Sequence, residues 1–193
     1  MAAPLSRRYE PGTLVIETTW STDTGWVVVR DALTIAEWIG RGPDGASQPS
    51  YEADYSLVRV ATCLDGEAAV EMFCEPRFEY GSQAAIWRED GFGEAVAEAA
   101  GHTLAMNTDL DLTLGQGTAD GTIHLKEGES CFCTLAWDRG IDSRPRSAPE
   151  ATERIEETVE SWREWLVQGS FPDHPWRIHL QRSALVLKGL IYA

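Results

Sequence analysis

Two runs carry the reading of the fold: Tyr55-Ser56-Leu57-Val58-Arg59-Val60-Ala61-Thr62-Cys63 and Glu67-Ala68-Ala69-Val70-Glu71-Met72-Phe73-Cys74-Glu75, separated by Leu64-Asp65-Gly66. In the second, Ala68, Val70, Met72 and Cys74 alternate with Glu67, Ala69, Glu71 and Phe73. A period of two marks a strand with one face on a core and the other toward water. Asp-Gly between two such runs signals a tight turn, so a hairpin centred on Asp65-Gly66 is expected. Working outward, residues 13–20 and 26–31 are β-rich and flank Ser21-Thr22-Asp23-Thr24-Gly25, which predicts another hairpin. Residues 40–50 lack periodicity and read as an exposed loop. Further strands are expected near 85–89, 103–106, 109–114, 122–126 and 130–137. Short strands at this spacing predict a mainly β domain over residues 1–138, an antiparallel β-sandwich.

Beyond Asp138 the pattern changes. Residues 139–149 read as a linker, at whose end Ser147-Ala148-Pro149-Glu150 matches a capping box with Pro in the first turn. Ile155, Val159, Trp162 and Leu166 follow at steps of four, three and four, one apolar helical stripe. The linker and this helix occupy residues 139–170. A second helix is expected within 171–193, capped by Asp173 and carrying Trp176, Leu180, Ala184, Leu187 and Ile191 on one face. Nothing at its end resembles a helix stop, so the chain reads as a β-domain, a linker helix and the opening helix of a truncated further domain.

The 193 residues hold 16 Lys and Arg against 31 Asp and Glu, a net charge of −15. Nucleic acid and anionic membrane surfaces would repel such a chain. No apolar run approaches the ~20 residues of a membrane span, and the first twelve residues contain no signal-peptide stretch. A soluble, cytoplasmic protein is expected. In the expected hairpin register Cys63 and Cys74 are roughly 15–20 Å apart, beyond disulfide reach. Cys131 and Cys133 share one face of a strand, without a second pair or a spaced His to complete a zinc site. All four cysteines are expected to be buried, unbridged hydrophobes.

Candidate chemistry is sparse. Asp109 and Asp111 alternate in an expected strand and would share a face; Glu17 and Asp31 would approach across the first hairpin. Neither pair has the third group or pocket of a catalytic site, and both read as solvated sheet faces. His102, His124, His174 and His179 show no metal-ligand spacing, and Ser130 sits in no nucleophile elbow. Eight tryptophans raise the question of sugar stacking. Trp162 and Trp165 read as helix-to-sheet packing, Trp26 and Trp137 as strand residues, and Trp20, Trp38 and Trp87 as the turn-adjacent candidates for exposure. No catalytic, cofactor-binding or metal-ligating residue is assigned, and no cofactor is expected.

Several segments together resemble the N-terminal region of glycoside hydrolase family 15, in its bacterial trehalase and glucoamylase-like branch. They are residues 8–18 (Arg8-Tyr9-Glu10-Pro11-Gly12 onward), 25–31, Leu57-Val58-Arg59, Glu75-Pro76-Arg77-Phe78-Glu79-Tyr80-Gly81, Trp176-Arg177 and 181–190. The resemblance implies a large β-sandwich (a supersandwich), a linker helix and an (α/α)6 barrel. It also implies a parent enzyme that inverts α-glucosidic bonds with two barrel glutamates. An inverting pair stands roughly 6.5–9.5 Å apart to admit water. Neither catalytic segment lies in this sequence, and the opening sandwich strands that family members usually carry before Tyr9 are missing too, so no catalytic residue carries over; Asp31 and residues 75–81 match family positions and read as structural. The partners implied are the barrel of the same chain and an α-glucoside substrate in the parent enzyme; the apolar stripe of the last helix, left without neighbours, is expected either to drive self-association or to leave residues beyond about Phe171 frayed. A freestanding carbohydrate-binding or protein-interaction module is the alternative.

Overall fold

The computed structural model describes residues 4–41, 47–91, 93–138 and 144–191. Among them the chain forms β1 (Pro4–Tyr9), β2 (Ile16–Ser21), β3 (Gly25–Arg41), β4 (Ser47–Cys74), β5 (Arg77–Phe78) and β6 (Gln83–Ala84). There follow β7 (Ile86–Gly91), β8 (Glu94–Ala99), β9 (His102–Thr108), β10 (Asp111–Leu114), β11 (Ala119–Lys126) and β12 (Ser130–Trp137), then the helices α1 (Ala148–Gln168) and α2 (Arg177–Leu190). Every strand pairing is antiparallel. The main path runs β1-β2-β3-β4-β12-β9-β8-β7, and β10-β11 joins it through β4. The chain is thus mainly β, an antiparallel sheet with two helices.

β4 belongs to both parts of this sheet, the long path and a smaller layer of β10, β11 and its own downstream half. It contains both runs of the expected second hairpin but does not turn back at Asp65-Gly66. Its upstream part pairs with β3 and β12, while residues 67–74 pair with β11. The hairpin expectation fails because the glycine serves a close crossing instead of a turn. Gly66 has φ +69, and a Cβ there would strike the Thr24 carbonyl oxygen. Gly25, its partner across the ladder, lies as tightly against the backbone of Asp65 and Glu67. Thr24 fastens the crossing, its carbonyl accepting from Glu67 N at 3.0 Å and its hydroxyl donating to Glu67 O at 2.8 Å. The alternation of residues 67–74 is the same whether a strand returns or continues, so periodicity alone does not distinguish the two.

The inner face of the large sheet meets the smaller one. Val27, Ala61, Cys63 and Cys131 pack with Ala68, Leu110 and Leu125; Trp87, Ala97, Met106 and Cys133 pack with Ala119 and the half-buried Met72. The outer face presents Val15, Ala32, Val58, Val60 and Phe132 to Ala151, Ile155 and Val159 of α1. Arg30 reinforces this seam with ion pairs of 2.6 Å to Glu156 on α1 and to Glu10 in the β1–β2 turn.

Two strands escape the sequence pattern. β1 is exposed at all six residues, so no buried face imposes an alternation. β8 is a run of small residues whose Ala95, Val96 and Ala97 are all buried, and a strand covered on both faces need not alternate. The expected loop at 40–50 is shorter than anticipated: Gly40 and Arg41 pair with Gln48 and Ser47 as the ladder extends past the core, and residues 42–46 lie outside the described residues.

Helix α1 matches its signals. Ser147 Oγ accepts from Glu150 N at 3.3 Å, and the Glu150 carboxylate reaches back to Arg146 N at 3.0 Å. Ile155, Val159 and Trp162 are buried. The preceding linker is anchored by the buried Arg144, which donates to Asn107 Oδ1, while Asn107 Nδ2 donates to Glu94 at 3.0 Å. Helix α2 begins later than expected. Asp173 does not cap it; the N-cap is Trp176, with no side-chain cap bond. Residues ahead of it form a turn, in which Arg177 N donates to His174 O at 2.9 Å and Trp176 N to His174 Nδ1 at 3.2 Å.

Candidate functional site

The carboxylate pairs read from the sequence do not come together. Asp109 lies in the bend before β10, not in a strand with Asp111, and its Oδ1 accepts from Phe132 N at 2.9 Å. Desolvation raises its pKa against that hydrogen bond. Glu17 and Asp31 are not opposite one another: Ile16 pairs with Asp31 and Glu17 with Arg30, so the two side chains project from opposite faces. Each serves an ion pair, Glu17 with Arg8 at 2.7 Å and Asp31 with Arg59 at 2.6 Å.

The tryptophans are distributed differently from expectation. Trp87 is buried in the core, at 9% exposure, because its edge strand turns that face inward; Trp26 is exposed at 47%. The side chain of Trp38 lies outside the described residues. Trp20 is half-buried and lines a cleft of ≈ 380 Å³ between the two sheets, with Arg7, Asp31, Arg59 and Met72. Its polar members are already engaged in part, Arg7 Nε donating to Thr18 Oγ1 at 3.1 Å and Arg59 to Asp31. Glu71 of β4 also lines it.

Three of the cysteines are held as thiols. Burial pushes Cys133 up to about 12, with Cys74 nearby adding to the effect; burial also lifts Cys131 to about 12 and Cys74 to about 11. All four are unbridged. Cys63 and Cys74 are separated along one continuous strand, not across a turn. The histidines are dispersed: His124 is on β11 and His174 and His179 are near the start of α2, while His102 Nδ1 lies 3.0 Å from Asp138 Oδ2. Asp138 is held below the usual carboxylate range by the Thr103 backbone N–H and by His102. Among the described residues no group of three or more His, Cys, Asp or Glu side chains is placed to hold a metal ion. No described helix is long and apolar enough to cross a membrane.

Sequence reasoning passed over one cluster as structural. Phe78 is buried and stacks on Trp137 with ring centroids 5.3 Å apart, and His102 lies 5.1 Å from the same indole. Above them the β5–β6 connection holds Glu79, Tyr80 and Gly81 at φ +48, +55 and +92. The available signal was Glu-Tyr-Gly between two very short strands, a composition that leaves only the glycine suited to such a backbone. The other exposed feature is α2, whose Trp176, Ile178, Leu180, Leu187, Leu190 and Ile191 all face outward. The helix is held from beneath by Leu185, 1% exposed, and by Arg182, which donates to Thr13 O at 2.6 Å and stacks over Tyr9.

No model of a known protein family matches the chain. Along its whole length it is similar to two curated proteins. It is 39% identical over 204 aligned residues to a trehalase of Mycolicibacterium smegmatis and 40% identical, over the same span, to a trehalase of Mycobacterium tuberculosis. In each case the chain spans 30% of the relative's length.

Proposed function

We propose that this chain is the non-catalytic N-terminal part of a trehalase-like glycoside hydrolase, which supports the catalytic domain and helps to shape its substrate entrance. The observation that carries this reading is the similarity to the two trehalases, which covers the whole chain yet only 30% of their length. The exposed face of α2 supports it, since about 25 cal/mol is forfeited for each Å² of apolar surface left in water. Residues 1–138 are the β-domain, of the supersandwich kind that family 15 implies; residues 139–170 are the linker and its helix; residues 171–193 contribute the first helix of an (α/α)6 barrel. The barrel of the same chain is then the partner of α2. It supplies the two glutamates that cleave an α-glucoside with inversion, in the cytoplasm.

The test compares this chain with the complete gene product, each incubated with trehalose and with maltooligosaccharides. The chain alone is expected to release no glucose above blank, and the longer protein to release it with inverted anomeric configuration. A longer protein inactive on every α-glucoside overturns the reading. So does glucose release by this chain that disappears when one of its own carboxylates is replaced.

A further inference from the structure

The two layers of the β-domain are unequal. Among the described residues the long path has eight strands, while the smaller layer has three and stops at the downstream half of β4. Residues 67–74 pair with β11 on one side only. In an antiparallel ladder a residue sends its N–H and C=O to the same side, and successive residues alternate. Glu67 faces away from β11: its N–H donates to Thr24 O at 3.0 Å and its carbonyl accepts the Thr24 hydroxyl at 2.8 Å. Ala69, Glu71 and Phe73 therefore turn the same way, and no described group pairs with their amides or carbonyls. The cleft of ≈ 380 Å³ runs beside this open edge, with Trp20, Val29 and Asp31 on the floor and residues 69–72 as one wall. Trp20, Val29, Val70 and Met72 all face the core there yet are only half-buried, whereas Ala68, two residues before Val70, is 4% exposed.

We propose that the open edge of β4 at residues 69–73 is a docking edge for an extended segment ahead of Met1 in the complete gene product, which closes the cleft as a further strand of the smaller layer. This rests on the function proposed above, in which the chain belongs to a longer protein, and adds an internal contact to it. Pro4 pairs with Trp20, so the chain enters β1 at the Trp20 end of the cleft, where Thr24 also holds the start of the open edge at Glu67. A segment ahead of Met1 arrives from that end. The barrel proposed as the partner of α2 belongs to the opposite side, since α1 covers the outer face and Gly189 of α2 lies against Leu14 and Trp162. A second copy is disfavoured by charge. Two such edges paired about Glu71 would set Glu71 against itself and Glu67 against Glu75, in a chain of net charge −15. Glutamates on an edge discourage chance pairing, but they do not cover the apolar floor. The pleat defines the occupant's chemistry: every second side chain is apolar and faces Trp20, Val29 and Met72, with polar residues between.

The experiment measures hydrogen exchange in the complete gene product and in this chain. The amides of Ala69, Glu71 and Phe73 should exchange at least about 100-fold more slowly in the complete product, while those of Ala68, Val70 and Met72, which face β11, stay slow in both. A photoreactive maleimide on Glu71→Cys in the complete product, followed by mass spectrometry of the peptides linked to position 71, then identifies the neighbour. Links to residues ahead of Met1 sustain the inference. Equal exchange at the three amides in the two proteins overturns it. Protection without such links overturns it too, as do links to residues beyond Ala193 or to a second molecule, and a gene product with nothing ahead of Met1. Neither readout uses activity, so a complete product that cleaves no α-glucoside overturns the function reading alone.

Discussion

Helices α1 and α2 carry similar apolar stripes in the sequence but have opposite fates in the structure. In α1, Ile155, Val159 and Trp162 are buried on the outer face of the large sheet, and Ser147 caps the first turn. In α2 the stripe read from the sequence is the exposed side: Trp176 and Leu187 are 62% and 64% exposed, and the helix rests instead on Leu185. Gly189 permits that approach, since a Cβ there would strike Leu14. The lesson is that an apolar stripe says a helix face needs cover, without saying that its own domain supplies the cover. Isolated helices of this length are marginal in water, so α2 depends on a small buried footprint while α1 is a full layer of the fold.

The largest effect that separates the two should come from Ile155→Ala. Removing a fully buried side chain from the α1 seam is expected to cost about 3 kcal/mol, read from urea unfolding followed by far-UV circular dichroism. A loss below about 1 kcal/mol would show that α1 is no more integral than α2. Ser147→Ala comes next, at about 1 kcal/mol, because it removes the side-chain acceptor for Glu150 N. An equivalent change at Trp176, where no cap bond exists, has nothing comparable to lose. The smallest effect on stability should be that of Leu180→Glu combined with Leu187→Glu, within about 0.5 kcal/mol. The same pair should make this chain more monomeric by light scattering, as the uncovered stripe is its expected route to self-association. Unfolding of the β-domain by this double change would break the comparison and place α2 in the domain's own core.

Much of the architecture was legible because burial imposes periodicity. The limits of β12 follow from Ser130-Cys131-Phe132-Cys133, and the capping box at Ser147 marks the start of α1. Legibility failed where that link between burial and pattern is weak. β1 buries nothing, and β8 is buried on both faces, so neither alternates. Trp87, a turn-adjacent candidate for exposure, is buried instead, because proximity to a turn says little about which face of a strand a residue occupies. The Tyr80 turn was hidden for a related reason. Left-handed backbone at Glu79 and Tyr80 is imposed by the anchoring of Phe78 and Ser82 around it, not by their own preferences.

Local pattern and composition alone determined a mainly β chain with two amphipathic helices and a strongly negative charge. Only the tertiary structure decided that Asp65-Gly66 joins two sheets, that Glu17 and Asp31 point apart, and which side of α2 lies against the protein. Periodicity reports whether a residue alternates with its neighbours, a local property. The path of β4, the pairing of charges and the cover of a helix depend on which distant backbone arrives alongside. That was decided here by two glycines permitting a close crossing, and by an inner sheet face large enough to be buried.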